Sequence, residues 1–212
     1  MTTASNFNVE LEPRAEAVFL RLDRPPVNAF TFEMFGQLQR VLQDLELERR
    51  PLIISGSGGI FSAGMDTKHS GASEEELDAA ACQCLQMVRN HHAPVIAAVE
   101  RAAVGFGLLL ATSADFLVVS KTASLRMPEV QLGMEADPRP LRRFFSEPWV
   151  WRVCMTGESV TAEEMHLESL GAFICDPEQT EIGAAALAAR LAAIAPDSLR
   201  AMKSLLRVSQ SP

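Results

Sequence analysis

The sequence predicts an α/β fold in which short buried strands alternate with helices. Three apolar runs at 52–54, 95–99 and 116–119 are short and rich in valine and isoleucine, as in strands covered on both faces. Helical patterns at 32–47 and 73–90 separate these runs along the chain. Strands that alternate with helices imply a βαβ architecture. At 212 residues, one domain with a sizeable core is expected.

The N-terminal half supplies most of these elements. Residues 9–11 and 17–22 predict a hairpin, and a loop with two prolines follows at 23–29. Apolar residues recur at helical spacing through 32–47. Ser73 followed by three glutamates is typical of a helix N-terminus, so a helix is expected over 73–90.

The second half is predicted to be mainly helical. A short apolar helix is expected at 107–113, directly before the strand at 116–119. After Gly133, helices are expected at 139–145, 149–155, 162–170 and 181–195, with a last one from Asp197. This part contains no internal repeat and no low-complexity linker.

Composition excludes several classes of function. The net charge of −8 argues against a nucleic-acid partner, which requires a basic patch. The four cysteines fit neither a zinc site nor a disulfide framework, so reduced thiols in a cytoplasmic compartment are expected. The N-terminus does not resemble a secretory signal, and no apolar run reaches about 18 residues, so no membrane span is expected.

Two glycine-containing loops carry the strongest functional signal. The first, F-S-A-G-M-D (Phe61 to Asp66), follows a buried strand, and the second, V-G-F-G (Val104 to Gly107), opens an apolar helix. Two such loops can point free backbone N–H groups at one oxygen, which would form an oxyanion hole. The alternative is that both are ordinary turns between a strand and a helix.

Several segments together resemble the crotonase (enoyl-CoA hydratase/isomerase) superfamily over about residues 8–205. The matching segments are R-P-P-V-N-A-F (24–30), F-S-A-G-M-D (61–66), P-V-I-A-A-V (94–99) with G-F-G (105–107) and A-D (114–115), P-E-V-Q-L-G (128–133), and T-G-E-S-V-T-A-E-E-M (156–165). The resemblance implies a crotonase-like ββα spiral core over residues 1–155 and a helical C-terminal region over 156–212. It also implies a homotrimer or a dimer of trimers, and a C-terminus shorter than that of longer relatives.

The resemblance implies a site for an acyl-CoA thioester. The backbone N–H groups of Met65 and Phe106 would form the oxyanion hole, with Gly105 and Gly107 allowing close approach. Glu129 matches a catalytic glutamate of the family, and burial would raise its pKa toward neutrality. The alternative for Glu129 is a solvated loop carboxylate.

One departure from the family pattern favours a particular branch. Hydratases place a second glutamate where this chain has Leu109, which cannot hold a water. A single carboxylate suffices to move a double bond, so the pattern resembles the Δ3-Δ2-enoyl-CoA isomerases. Asp137 is a candidate second acid, as in dienoyl-CoA isomerases, or else a surface residue. Hydration, decarboxylation and a non-catalytic acyl-CoA-binding role remain alternatives.

The resemblance is weaker for the residues that would bind the coenzyme A part of the substrate. Arg24 would meet a phosphate or be a solvated loop cation, and Lys68 is a second candidate. The backbone of Ser62, Ala63 and Gly64 would hold the adenine, and Gly105 and Leu109 would line the substrate. Asp66 is expected to brace its loop. No metal and no cofactor are expected beyond the coenzyme A of the substrate.

Overall fold

Two β-sheets form the framework of the chain. The computed structural model describes residues 8–66, 68 and 72–208. The larger sheet has six strands in the order β1-β2-β3-β5-β7-β10, and the smaller has four in the order β4-β6-β8-β9. The larger sheet comprises β1 (Asn8–Pro13), β2 (Val18–Asp23), β3 (Leu52–Gly56), β5 (Val95–Val99), β7 (Phe116–Ser120) and β10 (Phe173–Cys175). The smaller comprises β4 (Ile60–Ser62), β6 (Ala102–Val104), β8 (Ser124–Arg126) and β9 (Ser159–Thr161).

A strand–strand–helix unit repeats along the chain. The pair β3–β4 leads to helix α2 (Glu74–Asn90), and the pair β5–β6 leads to α3 (Phe106–Ser113). The third pair, β7–β8, leads to a 3-10 turn, Glu129–Leu132. All neighbouring strands run parallel except β1 with β2 and β8 with β9. This repeat is the expected ββα spiral, and it brings the ends of β4, β6 and β8 to one place.

The remaining helices enclose this framework. Helix α1 (Phe32–Asp44) is capped by Thr31, and α2 has the expected capping box, in which the side chains of Ser73 and Glu76 satisfy each other's backbone N–H. Helices α4 (Glu147–Thr156), α5 (Thr180–Ala192) and α6 (Pro196–Val208) follow in the second half.

Two of the helix predictions are wrong. Residues 139–145 form a 3-10 helix over Arg139–Arg143. Residues 162–170 form turns that end in a 3-10 helix over Leu167–Leu170. His166 has a φ of 51°, a left-handed conformation that interrupts an α-helix, and this was not evident from the apolar spacing.

The larger sheet is covered on both faces. Residues on one face of its strands, including Leu52, Ile54 and Val95, join α1, α2 and α3 in the main core. The alternate residues Ile53 and Ile96 pack with α5 in a second cluster. Burying each such side chain stabilises the fold by roughly 1.5–3 kcal/mol. This two-sided burial explains why the strands read as continuous apolar runs.

The residues after 156 take part in both sheets. Strand β9 pairs with β8 in the smaller sheet, and β10 pairs with β7 in the larger one. In the described residues, no single helix has the length and hydropathy to cross a membrane; α5 and α6 reach them only jointly, across a bend of 106°.

Candidate active site

The two glycine-containing loops lie directly against each other. A methyl group built on Gly64 would lie 3.0 Å from the carbonyl oxygen of Val104 and 3.6 Å from the amide nitrogen of Phe106. One built on Gly107 would lie 2.5 Å from the carbonyl oxygen of Ser62. Only glycine permits this approach, and Gly64 also has a φ of +94°. The glycines therefore bring the Met65 and Phe106 loops into backbone contact.

The amides of Met65 and Phe106 are both available as donors. Phe30 donates its N–H to Gly64 and accepts from Asp66, each at 2.8 Å, so the Met65 N–H between them faces the other way. Phe106 is the first residue of α3, where helical N–H groups have no intrahelical partner. Among the hydrogen bonds of the described residues, neither amide donates to the protein. Such amides are the donors that a two-donor oxyanion hole requires.

A cluster of three phenylalanines supports both donors. The Phe106 ring packs against Phe30 and Phe35, with ring centroids 4.8 Å away in each case. Phe30 and Phe35 are fully buried. Because the Phe30 backbone also holds the strand segment around Met65, this one residue contacts both donor loops.

The carboxylate of Glu129 lies beside the second donor loop. Glu129 begins the 3-10 turn after Pro128, and a methyl group on Gly105 would lie 2.5 Å from Glu129 Oε1. Its Oε2 atom exposes less than 1 Å² and has no hydrogen-bond partner in the described residues. Burial raises the pKa of Glu129, and a hydrogen bond from its own backbone offsets part of that rise. The carboxylate predicted from the sequence is therefore half-buried and is not a solvated loop side chain. It lies against Gly105, the residue before the Phe106 donor.

Arg126 ties the Glu129 turn to the donor loop, and sequence reasoning missed it. Its backbone oxygen accepts the Gly105 N–H at 2.9 Å. Its guanidinium donates to Gln131 Oε1 at 2.6 Å and to the Gly157 carbonyl at 2.7 Å, and Gln131 donates to Thr156 at 2.6 Å. No local pattern signals this network, because Arg126 and Gly157 are distant in sequence.

Leu109 and Asp137 occupy different environments. Leu109 is 6% exposed and packs in the main core on α3. Asp137 is exposed and forms an ion pair with Arg139 at 2.6 Å. Hydrogen bonds from Arg139 hold the pKa of Asp137 below its ordinary value. An exposed carboxylate of lowered pKa is a poor proton shuttle at neutral pH.

Cys154 is a second feature that sequence reasoning missed. Burial, followed by the nearby charge of Glu129, raises the pKa of this α4 thiol. Cys154 is therefore a protonated, half-buried neighbour of the carboxylate. In the described part of the chain, no group of three His, Cys, Asp or Glu side chains is arranged to hold a metal ion.

Of the two predicted coenzyme A cations, Arg24 is engaged within the protein and Lys68 is exposed. Arg24 pairs with Asp66 at 2.8 Å and donates to the carbonyl of Ala29 at 2.8 Å. Asp66 also accepts the Lys68 N–H at 3.2 Å, so it braces its loop, while the Lys68 side chain is exposed. An incoming phosphate would have to share Arg24 with Asp66, whereas Lys68 is open to solvent.

The Ser62–Gly64 backbone is also partly used. Ser62 is buried, donates its hydroxyl to the carbonyl of Asn28 at 2.8 Å and accepts the Gly64 N–H at 3.1 Å. Ala63 donates its N–H to Val27 at 2.9 Å. An adenine at this segment would therefore meet carbonyl groups and not free amides.

Known proteins resemble this chain in sequence and in fold. The enoyl-CoA hydratase/isomerase family model matches residues 14–211. A probable enoyl-CoA hydratase of Bacillus subtilis is 30% identical over 200 residues, covering 88% of this chain and 77% of that protein. The carnitinyl-CoA dehydratase of Escherichia coli K12 is 32% identical over 201 residues, covering 90% and 76%.

A solved structure agrees with these relatives. The crystal structure of an enoyl-CoA hydratase from Polaromonas sp. JS666 superposes with a TM-score of 0.86 at 26% identity, covering 96% of this chain and 84% of the other. Sequence, fold and the geometry of the two loops lead to the same assignment. The chain belongs to the enoyl-CoA hydratase/isomerase family of the crotonase superfamily.

Proposed function

We propose that this chain is an enoyl-CoA isomerase that moves the double bond of an acyl-CoA thioester. The family supplies the substrate class, an acyl-CoA thioester. The observation that carries the finer proposal is the isolation of Glu129. Its Oε2 is buried and has no partner in the described residues. By the family resemblance, the buried Leu109 takes the position of the second catalytic glutamate of hydratases.

The proposed reaction begins with enolisation. The thioester oxygen accepts hydrogen bonds from the Met65 and Phe106 N–H groups. Ionised Glu129 removes a proton from C2 of a 3-enoyl thioester. The electrons of that C–H bond form a C1–C2 double bond, and the carbonyl π electrons move onto the thioester oxygen to give a dienolate. Each preorganised N–H stabilises this charge by roughly 3–4 kcal/mol. The positive N-terminal end of α3 acts at the same place.

The same carboxyl group completes the reaction. The C3–C4 π electrons take the proton from protonated Glu129 to form the C4–H bond. The C1–C2 π electrons become the C2–C3 double bond, the oxygen electrons restore the thioester carbonyl, and Glu129 is ionised again. No water, metal or redox partner enters this balance. Burial raises the pKa of Glu129, which makes the carboxylate a stronger base than an exposed glutamate and therefore suits it to proton transfer.

Hydration is the second candidate, and the relatives favour it. The similar proteins above carry the names enoyl-CoA hydratase and carnitinyl-CoA dehydratase. Adding water to a 2-enoyl thioester requires a water that is held and polarised. The Leu109 side chain has no lone pair for that task, and Asp137 is bound to Arg139 at the surface. This leaves isomerisation as the reaction that the present side chains serve best.

The proposal extends to the setting of the enzyme. We expect a homotrimer or a dimer of trimers that works in the cytoplasm, consistent with four free cysteine thiols. Lys68, with Arg24 released from Asp66, would meet the coenzyme A phosphates. Light scattering should then give a particle of three or six chains of 23.1 kDa.

A product analysis separates the two candidate reactions. The purified protein would be given a 3-enoyl-CoA and, separately, a 2-enoyl-CoA, with products identified by NMR. Isomerisation predicts rapid conversion of the first to a 2-enoyl-CoA and little 3-hydroxyacyl-CoA from either. Efficient hydration of the 2-enoyl-CoA without double-bond migration would contradict the proposal. Binding of acyl-CoA without turnover would identify a non-catalytic member.

A further inference from the structure

A second cavity lies at the other end of the larger sheet from Glu129. It has a volume of about 220 Å³ and lies where β5 and β7 begin, beside the α5–α6 pair. The proposed active site lies at the N-terminal end of α3, whereas Arg143 of the cavity donates to the carbonyls of Ser113 and Ala114 at the other end of that helix. The eight residues of α3, about 12 Å in length, therefore separate the two. No step of the proposed reaction uses this cavity.

The cavity is strongly cationic for an acidic protein. Arg89, Arg143, Lys203 and Arg207 line it, against a single carboxylate, Asp115. The C-terminal ends of α2 and α3 contribute roughly half a negative charge each at this place. The balance still leaves about two positive charges, in a chain whose net charge is −8.

The protein itself uses few of the available donors. Lys203 pairs with Asp115 and donates to the Ala93 carbonyl at 2.9 Å. Arg143 uses only Nη1, and Arg207 only Nη2, for the backbone bonds of the described residues. The Arg89 side chain, near the C-terminal end of α2, makes no hydrogen bond within the described part of the chain. The guanidinium groups of Arg89, Arg143 and Arg207 therefore have N–H donors that no described residue accepts.

Burial makes this arrangement costly without a further anion. Desolvation lowers the pKa of Lys203 to about 8 and also lowers the pKa of Arg143 and of Arg207. The charge of Asp115 offsets part of each of these pKa shifts, and the neighbouring like charges add to them. A bound anion would offset the repulsion among these cations and accept hydrogen bonds from the unused N–H donors.

The remaining wall is apolar. Leu191, Leu199 and Met202 of α5 and α6 line it, with Phe116 at the sheet. The volume is below the usual 300–1,000 Å³ of drug-sized ligand pockets, so a small ligand is indicated. Planar guanidinium groups match a planar carboxylate, with which they form paired hydrogen bonds.

We propose that this cavity binds a small aliphatic carboxylate, with its head group on the arginines and its tail between α5 and α6. The site is separate from the acyl-CoA site and does not rest on the proposed reaction. Its ligand class is a free monocarboxylate of medium chain length.

Titration calorimetry of the full chain with octanoate tests the proposal. Octanoate should bind at one site per chain, while octan-1-ol, which lacks the charge, and inorganic phosphate, which lacks the tail, should bind at least tenfold more weakly. Because the substitution removes a charge-assisted hydrogen bond, Arg89→Gln should weaken octanoate binding about tenfold or more. Arg89 is chosen because it holds no backbone group in the described structure.

Two further variants locate the site. Leu199→Trp should block binding by filling the tail region, whereas Arg101→Gln, an exposed arginine beside Gly58, should leave it unchanged. Absence of octanoate binding to the wild-type chain would overturn the proposal. So would equal binding by Arg89→Gln and wild type, or equal affinity for phosphate and octanoate.

Discussion

Asp115, which precedes β7, and Glu129, which follows β8, are two partly buried carboxylates with different hydrogen-bond environments. Asp115 accepts the Val95 N–H at 2.8 Å and pairs with Lys203, whose side chain is 10% exposed. Glu129 has a buried Oε2 with no partner in the described residues. A satisfied carboxylate fixes the start of two strands, whereas an unsatisfied one remains free to accept a proton. The difference separates a residue that holds the fold from the residue that carries the proton in the proposed reaction.

The largest expected effect is the loss of activity on Glu129→Gln. The substitution keeps the shape and removes the base, so double-bond migration should fall by about 10²–10⁴-fold, the usual contribution of general acid–base catalysis. Steady-state rates with a 3-enoyl-CoA measure this effect. A variant that retains a tenth of the wild-type rate would mean that another group carries the proton.

Asp115→Asn should lower the stability of the protein and leave its activity unchanged. It leaves Lys203 buried without its charge partner, and breaking a buried pair in this way costs about 3–5 kcal/mol of unfolding free energy. Urea denaturation measures the loss, and the activity per folded molecule should be unchanged. Asp115→Asn with Lys203→Met removes both charges and should recover part of the stability. A wild-type stability for Asp115→Asn alone would show that the pair is not structural.

Gly105→Ala should damage the site more than the fold. The added methyl group would lie 2.5 Å from Glu129 Oε1 and must displace the carboxylate. A displacement of about 1 Å at a reacting group can cost about 100-fold in rate. Gly58→Ala is the matched control, because Gly58 also has a positive φ, +67°, but its methyl group would meet no atom within 4 Å. Both variants should lose similar stability, and only Gly105→Ala should lose activity to this extent.

The raised pKa of Glu129 predicts a specific pH dependence of stability. Below its ordinary value of 4.5, the carboxyl is protonated in both states and contributes nothing. As the pH rises above 4.5, the unfolded chain releases the proton first, so the unfolding free energy falls until the native carboxyl also ionises. Each unit of pKa elevation corresponds to about 1.4 kcal/mol. Compared with Glu129→Gln, the wild type should lose stability across this window. A parallel pH dependence of the two proteins would contradict the assigned burial of Glu129.

The smallest expected effect is that of Asp137→Asn. Asp137 is exposed and paired with Arg139, so the rate should change by less than about threefold. The same 3-enoyl-CoA assay checks it. A loss as large as that of Glu129→Gln would favour a two-acid mechanism of the dienoyl type.

Sequence patterns predicted the parts of the fold that local chemistry determines. The strands β3, β5 and β7 are runs of buried β-branched and apolar residues, and Ser73 with Glu76 is a local capping signal. The strands of the smaller sheet have only three residues each, too few to show a periodicity. Their existence followed from the family resemblance and not from any pattern.

In the candidate active site too, some features were evident from local sequence and others were not. The glycines at 64, 105 and 107 were evident because close approach demands them. The link from Arg126 to Gln131 and Gly157 was not, because it joins side chains and carbonyls up to 31 residues apart. The missing partner of Glu129 Oε2 is likewise a property of the packed structure, which no single motif records.

An isotope-transfer experiment tests most directly whether the Glu129 carboxylate moves the proton from C2 to C4. A 3-enoyl-CoA with deuterium at C2 would be converted in ordinary water, and the deuterium at C4 of the product measured by NMR at early times. Because Glu129 Oε2 is buried, the account predicts that a measurable share of the label arrives at C4 before it exchanges with solvent. A product whose C4 carries solvent hydrogen alone, even in the first turnovers, would contradict it.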